Sequence, residues 1–386
     1  MENKRYLFVC STQFTIFNCI NVVLNDPEKY KGKTDIVLFH QTESTVKLSE
    51  NLKESKIFST VYNFPFINNL NSILLIILFT FPRLILRKLC LNEEPTRFKK
   101  NQYNAIFSQS LLYAALFKIF NKKTSTYLIE EGLSSYTSRT LDVSRRSVFY
   151  RLVNKTFLRH FFLADIKGQL LYKPELYCGE KGNETYIPIS VPKHSAKFNR
   201  IFEYKSNDLY SSNKFVYLGA PYWGLRKLIA NADLAEKVDK NLERKCKSLV
   251  DRSMKALKGA RFIYRVHPIE EIDNKFYDNF CTLDECKNMW EIECQNSLTD
   301  DHILMSFFST ASFTPKLLYG KEPYLIFLDN MTGYEFLNAG DFIYGLKSLY
   351  RDPKKIMQPK SEGELFEIIN NLSSGFPSDS VEGHLE

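Results

Sequence analysis

No CxxC pair occurs in this chain, and none of its cysteines, at 10, 19, 90, 178, 246, 281, 286 and 294, has a histidine partner at zinc spacing. That excludes the usual structural zinc site, even where Cys281, Cys286 and Cys294 cluster. Long hydrophobic runs are also missing. The run "ILLIILFTF", Ile73 to Phe81, falls far below the ~20 residues that cross a bilayer, and Pro82 interrupts it. Lys4 and Arg5 lead straight into "YLFVC" without the pattern of a signal peptide, so reduced thiols in a cytoplasmic setting are expected. No basic stripe with regularly interleaved aromatics appears, which sets nucleic acid aside. There is no internal repeat and no heptad pattern, and no convincing DxD-type divalent-ion site; "TDD" (299 to 301) precedes a strand and reads as a cap or turn.

What the chain has in abundance is aromatic and apolar matter. Hydrophobic residues make up 44% and aromatics 14%, with 31 Phe and 22 Tyr, so general disorder and low complexity are excluded. Its 386 residues exceed one ordinary core and fit two domains of roughly 150 to 200 residues. The net charge of +8 is unevenly placed: Arg83, Arg87, Lys88, Arg97, Lys99 and Lys100 follow the apolar run. The segment 73–100 reads either as a buried helix with a solvated basic end or as a peripheral contact with an anionic membrane surface.

Strand candidates alternate with helical patterns. In the first half they are "RYLFVC" (5 to 10), "DIVLFH" (35 to 40), "TVYNF" (60 to 64), "NAIFSQ" (104 to 109) and "STYLIE" (125 to 130), with "TQFTIFNCINVVLN" and "LLYAALFKIF" apolar at helical spacing between them. From about 173 to 213 the pattern loosens. It then resumes with "KFVYLG" (214 to 219), a charged helix from about Asp233 to Leu257, "RFIYRVHP" (261 to 268), "HILMSFF" (302 to 308), a helix from about Ala311, "PYLIFL" (323 to 328) and a late helix "GELFEIINNL". Strand, helix, strand in succession predicts α/β domains with parallel sheets. The expectation is two Rossmann-like domains, 1–205 and 206–372, facing a central cleft, with a loose tail over 373–386.

Ligands of such folds bind at the carboxyl ends of the strands. There the sequence places Glu130, Glu131 and Gly132 in the first domain. In the second it places His267 and Pro268, then Ser309 and Thr310 opening a helix. Carboxylates suit proton removal, and hydroxyls at a helix N-terminus suit a phosphate. Arg265 either adds positive charge beside His267 or pairs with an acid. Each group also has a bland reading, as a turn, a cap or a satisfied core histidine. Weaker candidates are Gly219, Tyr222 and Trp223 in "YLGAPYWG", Ser11, Thr12 and Gln13 after the first strand, and Glu291 in "MWEIE".

In their order and strand-end contexts, "EEG", "HP" and "ST", together with "ECQNSLTDDHILMSFFSTASFTPKLLYGKEP", resemble the motif set of bacterial GT-B sialyltransferases, most of all the lipooligosaccharide sialyltransferase family alongside related capsule enzymes. The resemblance covers most of the chain in motif order, though each motif is short. It implies a GT-B fold and an inverting, metal-independent transfer of sialic acid from CMP-sialic acid to a galactose-terminated acceptor, with no cofactor; the setting expected is the cytoplasm, where the membrane reading of the 73–100 segment would put the protein at the inner face of a bacterial membrane. It also suggests a homodimer. The roles it implies are Glu130 or Glu131 as base, with slight preference for Glu130, and His267 at the leaving phosphate. Ser309, Thr310, Arg265, Pro268, Gly219 and Glu291 would bind the donor, and Gln13, Gly132, Tyr222 and Trp223 the acceptor. Two other readings stand beside it: another nucleotide-sugar donor, CMP-Kdo or a UDP-hexose, and a non-catalytic membrane-surface protein of glycan assembly.

Overall fold

The computed structural model describes residues 5–40, 43–65, 103–110, 113–114, 117, 124–137, 166–179, 181, 183–219, 240–256, 262–268, 281–285, 288–336 and 338–373. The chain divides into two compact units, Met1–Tyr204 and Lys205–Glu386. The segment 73–100, Tyr222, Trp223 and the tail beyond 373 lie outside the described residues, as does most of "LLYAALFKIF".

The first unit is built on a parallel sheet of strands β1 (Tyr6–Cys10), β2 (Thr34–His40), β3 (Thr60–Pro65), β4 (Ala105–Ser108), β5 (Ser125–Ile129), β6 (Ile166–Leu171) and β7 (Thr185–Pro188), in the order β3-β2-β1-β4-β5-β6-β7. β1 is buried along its whole length, as a strand covered on both faces must be. On one face Leu7 and Val9 join Val37, Phe39, Phe64 and Ile106 in a single core. On the other, Phe8 stacks on Phe107 at 4.8 Å and Phe107 on Tyr127 at 5.1 Å. These three lie directly opposite one another in the parallel register, so part of the aromatic excess forms a cross-strand ladder. Helix α1 (Gln13–Asn25) follows β1 and opens with a capping box between Thr12 and Thr15. Helix α2 (Glu43–Ser55) follows β2, and a short helix α3 (Ser134–Thr137) follows β5.

The second unit repeats the plan with β8 (Phe215–Leu218), β9 (Phe262–Arg265), β10 (Thr282–Asp284), β11 (Ile303–Ser306), β12 (Tyr324–Phe327) and β13 (Ile356–Met357), ordered β10-β9-β8-β11-β12-β13 and parallel throughout. Its helices include α4 (Lys240–Ala256), α5 (Trp290–Asn296), α6 (Thr310–Tyr319), α7 (Ala339–Leu349) and α8 (Glu362–Ser373). α4 falls within the expected charged helix, α6 begins one residue before the expected Ala311, and α8 contains "GELFEIINNL".

Four strands were not expected: β6, β7, β10 and β13. Three of them are sheet edges, and an edge strand is commonly short and polar because only one flank is paired. β10 reads "TLD" and β7 "TYIP", too little apolar run to register as strands. In both sheets the strand order reverses beside the first strand, between β1 and β4 and between β8 and β11, and such reversals open the crevice where ligands bind. Among the described residues no helix is long and apolar enough to cross a membrane.

Candidate active site

At the reversal of the first unit, side chains tie together the loops that follow β1 and β4. The Gln109 side-chain oxygen accepts from the Ser11 N–H at 2.8 Å and from the Thr15 hydroxyl at 2.6 Å, while Gln109 Nε2 donates to Ser11 Oγ at 2.8 Å. Ser11 also bonds the Tyr113 hydroxyl, and the Tyr113 ring lies flat on Phe39 at 4.5 Å. Burial raises the Tyr113 phenol, and the nearby charge of Glu131 raises it further. Gln109, Ser11, Tyr113 and Glu131 thus make one polar cluster at the ends of β1, β4 and β5. Gln109 and Tyr113 were not among the sequence candidates, because nothing in the sequence says that β4 borders β1.

The two adjacent glutamates part company at the end of β5. Glu130 is 1% exposed; its Oε2 accepts from the Tyr136 hydroxyl at 2.6 Å and from the Tyr172 N–H at 2.8 Å. Burial pushes its carboxyl up to about 7 against those two hydrogen bonds. Glu131 is half-buried. Its N–H donates to Ser135 Oγ at 3.0 Å, and its Oε1 accepts from Ser134 Oγ at 3.2 Å. The chain turns at Gly132, whose φ of 124° is open to glycine and strained for other residues. The inner acid ties β5 to α3 and β6, and the outer one is half-buried at the strand end. Gln13, the first residue of α1, is half-buried beside the capped Thr12.

In the second unit His267 is half-buried and Pro268 exposed just beyond β9. Burial alone lowers the His267 imidazole to about 4, so it is neutral near pH 7 and offers a hydrogen bond rather than a proton. Gly219, past the end of β8, donates its N–H to the Arg265 carbonyl at 2.8 Å. Of the two roles open to Arg265, the structure shows pairing with an acid. It is 6% exposed and donates from Nη1 to Asp284 at 2.5 Å and Tyr210 at 3.1 Å, and from Nη2 to the Asn288 carbonyl at 2.6 Å. The strand end thus holds it inward, in a buried ion pair. Glu291 sits in the first turn of α5, 8% exposed, with burial pushing its carboxyl up to about 7.

Across the reversal, Ser309 caps α6 and accepts from the Ala311 N–H at 3.3 Å. The preceding turn is held from inside. Ser306 Oγ accepts N–H groups from Phe308 and Ser309, both at 3.2 Å, and bonds Ser312 Oγ at 2.7 Å. Phe308 takes φ of 92°, a costly value for an aromatic residue. Its ring packs against Phe327, Phe336 and Phe342, which holds the backbone there. β9 and β11 flank β8, so the His267 and Ser309 strand ends stand two strands apart, about 10 Å. The "TDD" stretch behaves as a turn: Asp300 Oδ1 accepts the Glu322 N–H at 2.7 Å and Oδ2 pairs with Arg351 at 3.0 Å.

No family model matches the chain, and no curated protein matches it. Solved structures do match along nearly its whole length. UGT2 of Phytolacca americana, complexed with UDP-2-fluoro-glucose and pterostilbene, is 11% identical with a TM-score of 0.52 over 96% of this chain and 90% of that one. LpCGTa in complex with UDP is 10% identical with a TM-score of 0.50 over 96% and 91%. An α/β-galactoside α-2,3-sialyltransferase from Photobacterium phosphoreum is 11% identical with a TM-score of 0.48 over 93% and 99%. At these identities the likeness is one of fold: two parallel-sheet α/β units of the GT-B type.

Proposed function

We propose that the protein is a glycosyltransferase, and specifically one that moves sialic acid from CMP-sialic acid to a galactose-terminated glycan of lipooligosaccharide or capsule with inversion. The observation that carries the reading is the make-up of the second unit's strand-order reversal. The α6 N-terminus with Ser309 and Thr310 stands there with the His267 strand end about 10 Å away, a span suited to a nucleotide monophosphate ester.

Sialyl transfer develops positive charge on the sugar and negative charge on the departing CMP phosphate. Hydrogen bonds from Ser309, Thr310 and neutral His267 strengthen as that phosphate charge grows, so they favour the transition state over the bound donor. On the first unit, Glu131 takes the proton of the acceptor hydroxyl, and the Ser11, Gln109 and Tyr113 cluster beside it offers partners to sugar hydroxyls. Glu130 holds the strand end in place. This route needs no metal.

The test is a donor screen read by mass. Against a galactose-terminated acceptor, CMP-sialic acid is expected to give a product heavier by one sialyl residue, and CMP is released slowly without acceptor. Turnover of CMP-Kdo or a UDP-hexose alone would replace the donor, and no turnover with any of them would favour the assembly-protein reading.

A second expectation follows from the imidazole. Because His267 is neutral in the free enzyme, kcat/KM shows no loss traceable to it as pH rises from 5 to 8. His267→Asn, which keeps an N–H donor, retains more activity than His267→Ala. A descending limb near pH 6.5 that disappears in His267→Asn would mean that a charged imidazolium does the work.

A further inference from the structure

Helix α6 carries a proline in its interior, Pro315. Proline has no amide hydrogen for the carbonyl four residues back, here that of Ala311, and such positions are where helices bend. The missing donor comes from another helix: the indole Nε1–H of Trp290, the first residue of α5, donates to the Ala311 carbonyl at 2.8 Å. The same ring carries the Arg265 guanidinium, 5.0 Å from its centroid, and lies 6.0 Å from the Tyr210 ring. Trp290 is 6% exposed, so the ring is fixed on these neighbours.

One side chain therefore touches two separate parts of the proposed donor site. Through Arg265 it meets the last residue of β9, two positions before His267. Through Ala311 it meets the first turn of α6, two positions after Ser309. The turn ahead of α6 is anchored from inside by Ser306, and the Trp290 bond serves the Ala311 carbonyl, for which Pro315 has no amide hydrogen.

We infer that Trp290 is a positioning residue: its indole N–H stands in for the amide that Pro315 lacks and holds the Ser309–Thr310 turn in register with the His267 strand end. This rests on the reading of that turn as the donor-phosphate site. It acts through a backbone carbonyl and not by touching substrate.

The substitution that restores the missing amide provides the test. Trp290→Phe keeps an aromatic ring and removes the N–H. Pro315→Ala supplies an amide at 315 that can reach the Ala311 carbonyl within the helix. CMP affinity of the full-length protein is expected to fall about fivefold to tenfold in Trp290→Phe, the effect of one net hydrogen bond. It stays near the unsubstituted value in Pro315→Ala and returns to within about twofold in the double variant, since the helix then bonds itself. Two results overturn the inference: a double variant that binds CMP as weakly as Trp290→Phe, or a Trp290→Phe protein that melts earlier yet binds CMP unchanged. Failure of the donor reading is a separate outcome, seen when the unsubstituted protein binds none of CMP, UMP and UDP. Amide exchange over Ser309–Ser312 then decides: faster in Trp290→Phe and restored in the double variant supports the positioning role, and unchanged exchange ends it.

Discussion

Glu131→Gln is expected to lower glycosyl transfer by about 10²- to 10⁴-fold, the usual contribution of a positioned general base, while unfolding stays where it was. Its carboxylate is half-buried at the end of β5 and held at Oε1 by Ser134, and the amide of glutamine fits the same space without accepting a proton. Glu130→Gln should do the opposite. There the native carboxyl is raised to about 7 from 4.5 by burial, so between those values the folded state binds more protons than the unfolded one. The stabilisation that this gives is fully present below pH 4.5 and is lost as pH rises through 7. Glutamine does not titrate. The stability of Glu130→Gln relative to the unsubstituted protein is therefore expected to rise by on the order of 3 kcal/mol between pH 4.5 and 8, read from denaturant midpoints, with much of the activity kept. If the two variants exchange behaviours, with Glu130→Gln silent in turnover and Glu131→Gln changing only the pH curve of stability, the base has been assigned to the wrong acid.

The contrast shows what the sequence can and cannot say. Alternation of apolar runs and helical spacing located β1 to β5, β8, β11 and β12 within a residue or two, and β9 with its end three residues too late, because each carries a largely apolar, mostly buried run, the edge strand β3 included. β7, β10 and β13 escaped notice because these edge strands hold only short apolar runs, and β6 because Lys167, Gly168 and Gln169 interrupt its apolar pattern. At the site, the residue types at strand ends were legible from strand and turn signals. Their burial was not. "EEG" gives two identical side chains, and only the packing of Tyr136 and Tyr172 around the first separates a structural acid from an accessible one. Gln109 and Tyr113 were invisible for a related reason: their proximity to Ser11 is a property of strand order, which depends on pairings between segments about a hundred residues apart.

Arg265 depends on the same kind of hidden neighbour, and here the expected effect is on stability. Its partner Asp284 lies on β10, an edge strand of three residues. The pair is buried, with side chains 6% and 10% exposed, and Asp284 also accepts from the Tyr210 hydroxyl. Asp284→Ala leaves a guanidinium in the interior without its paired carboxylate, while its bonds to Tyr210 and the Asn288 carbonyl stay. Removing one member of a buried ion pair costs about 3 to 5 kcal/mol. The exposed Arg252–Glu362 pair, with both side chains 44% exposed, is worth at most about 1 kcal/mol, and Glu362→Ala should stay within that. Salt separates them further, since 1 M NaCl erases the exposed contribution and leaves the buried one. In the Arg265→Met/Asp284→Ala double variant no charge is stranded, so its cost should fall short of the two single costs added together by about 2 kcal/mol. Strict additivity would mean that the two side chains do not act as a pair. The loss belongs to the unit Lys205–Glu386, so in urea the signal of Trp290, whose ring carries Arg265, reports it directly. Because β9 ends at Arg265 and His267 follows two residues on, the same variant should also weaken CMP binding before it unfolds.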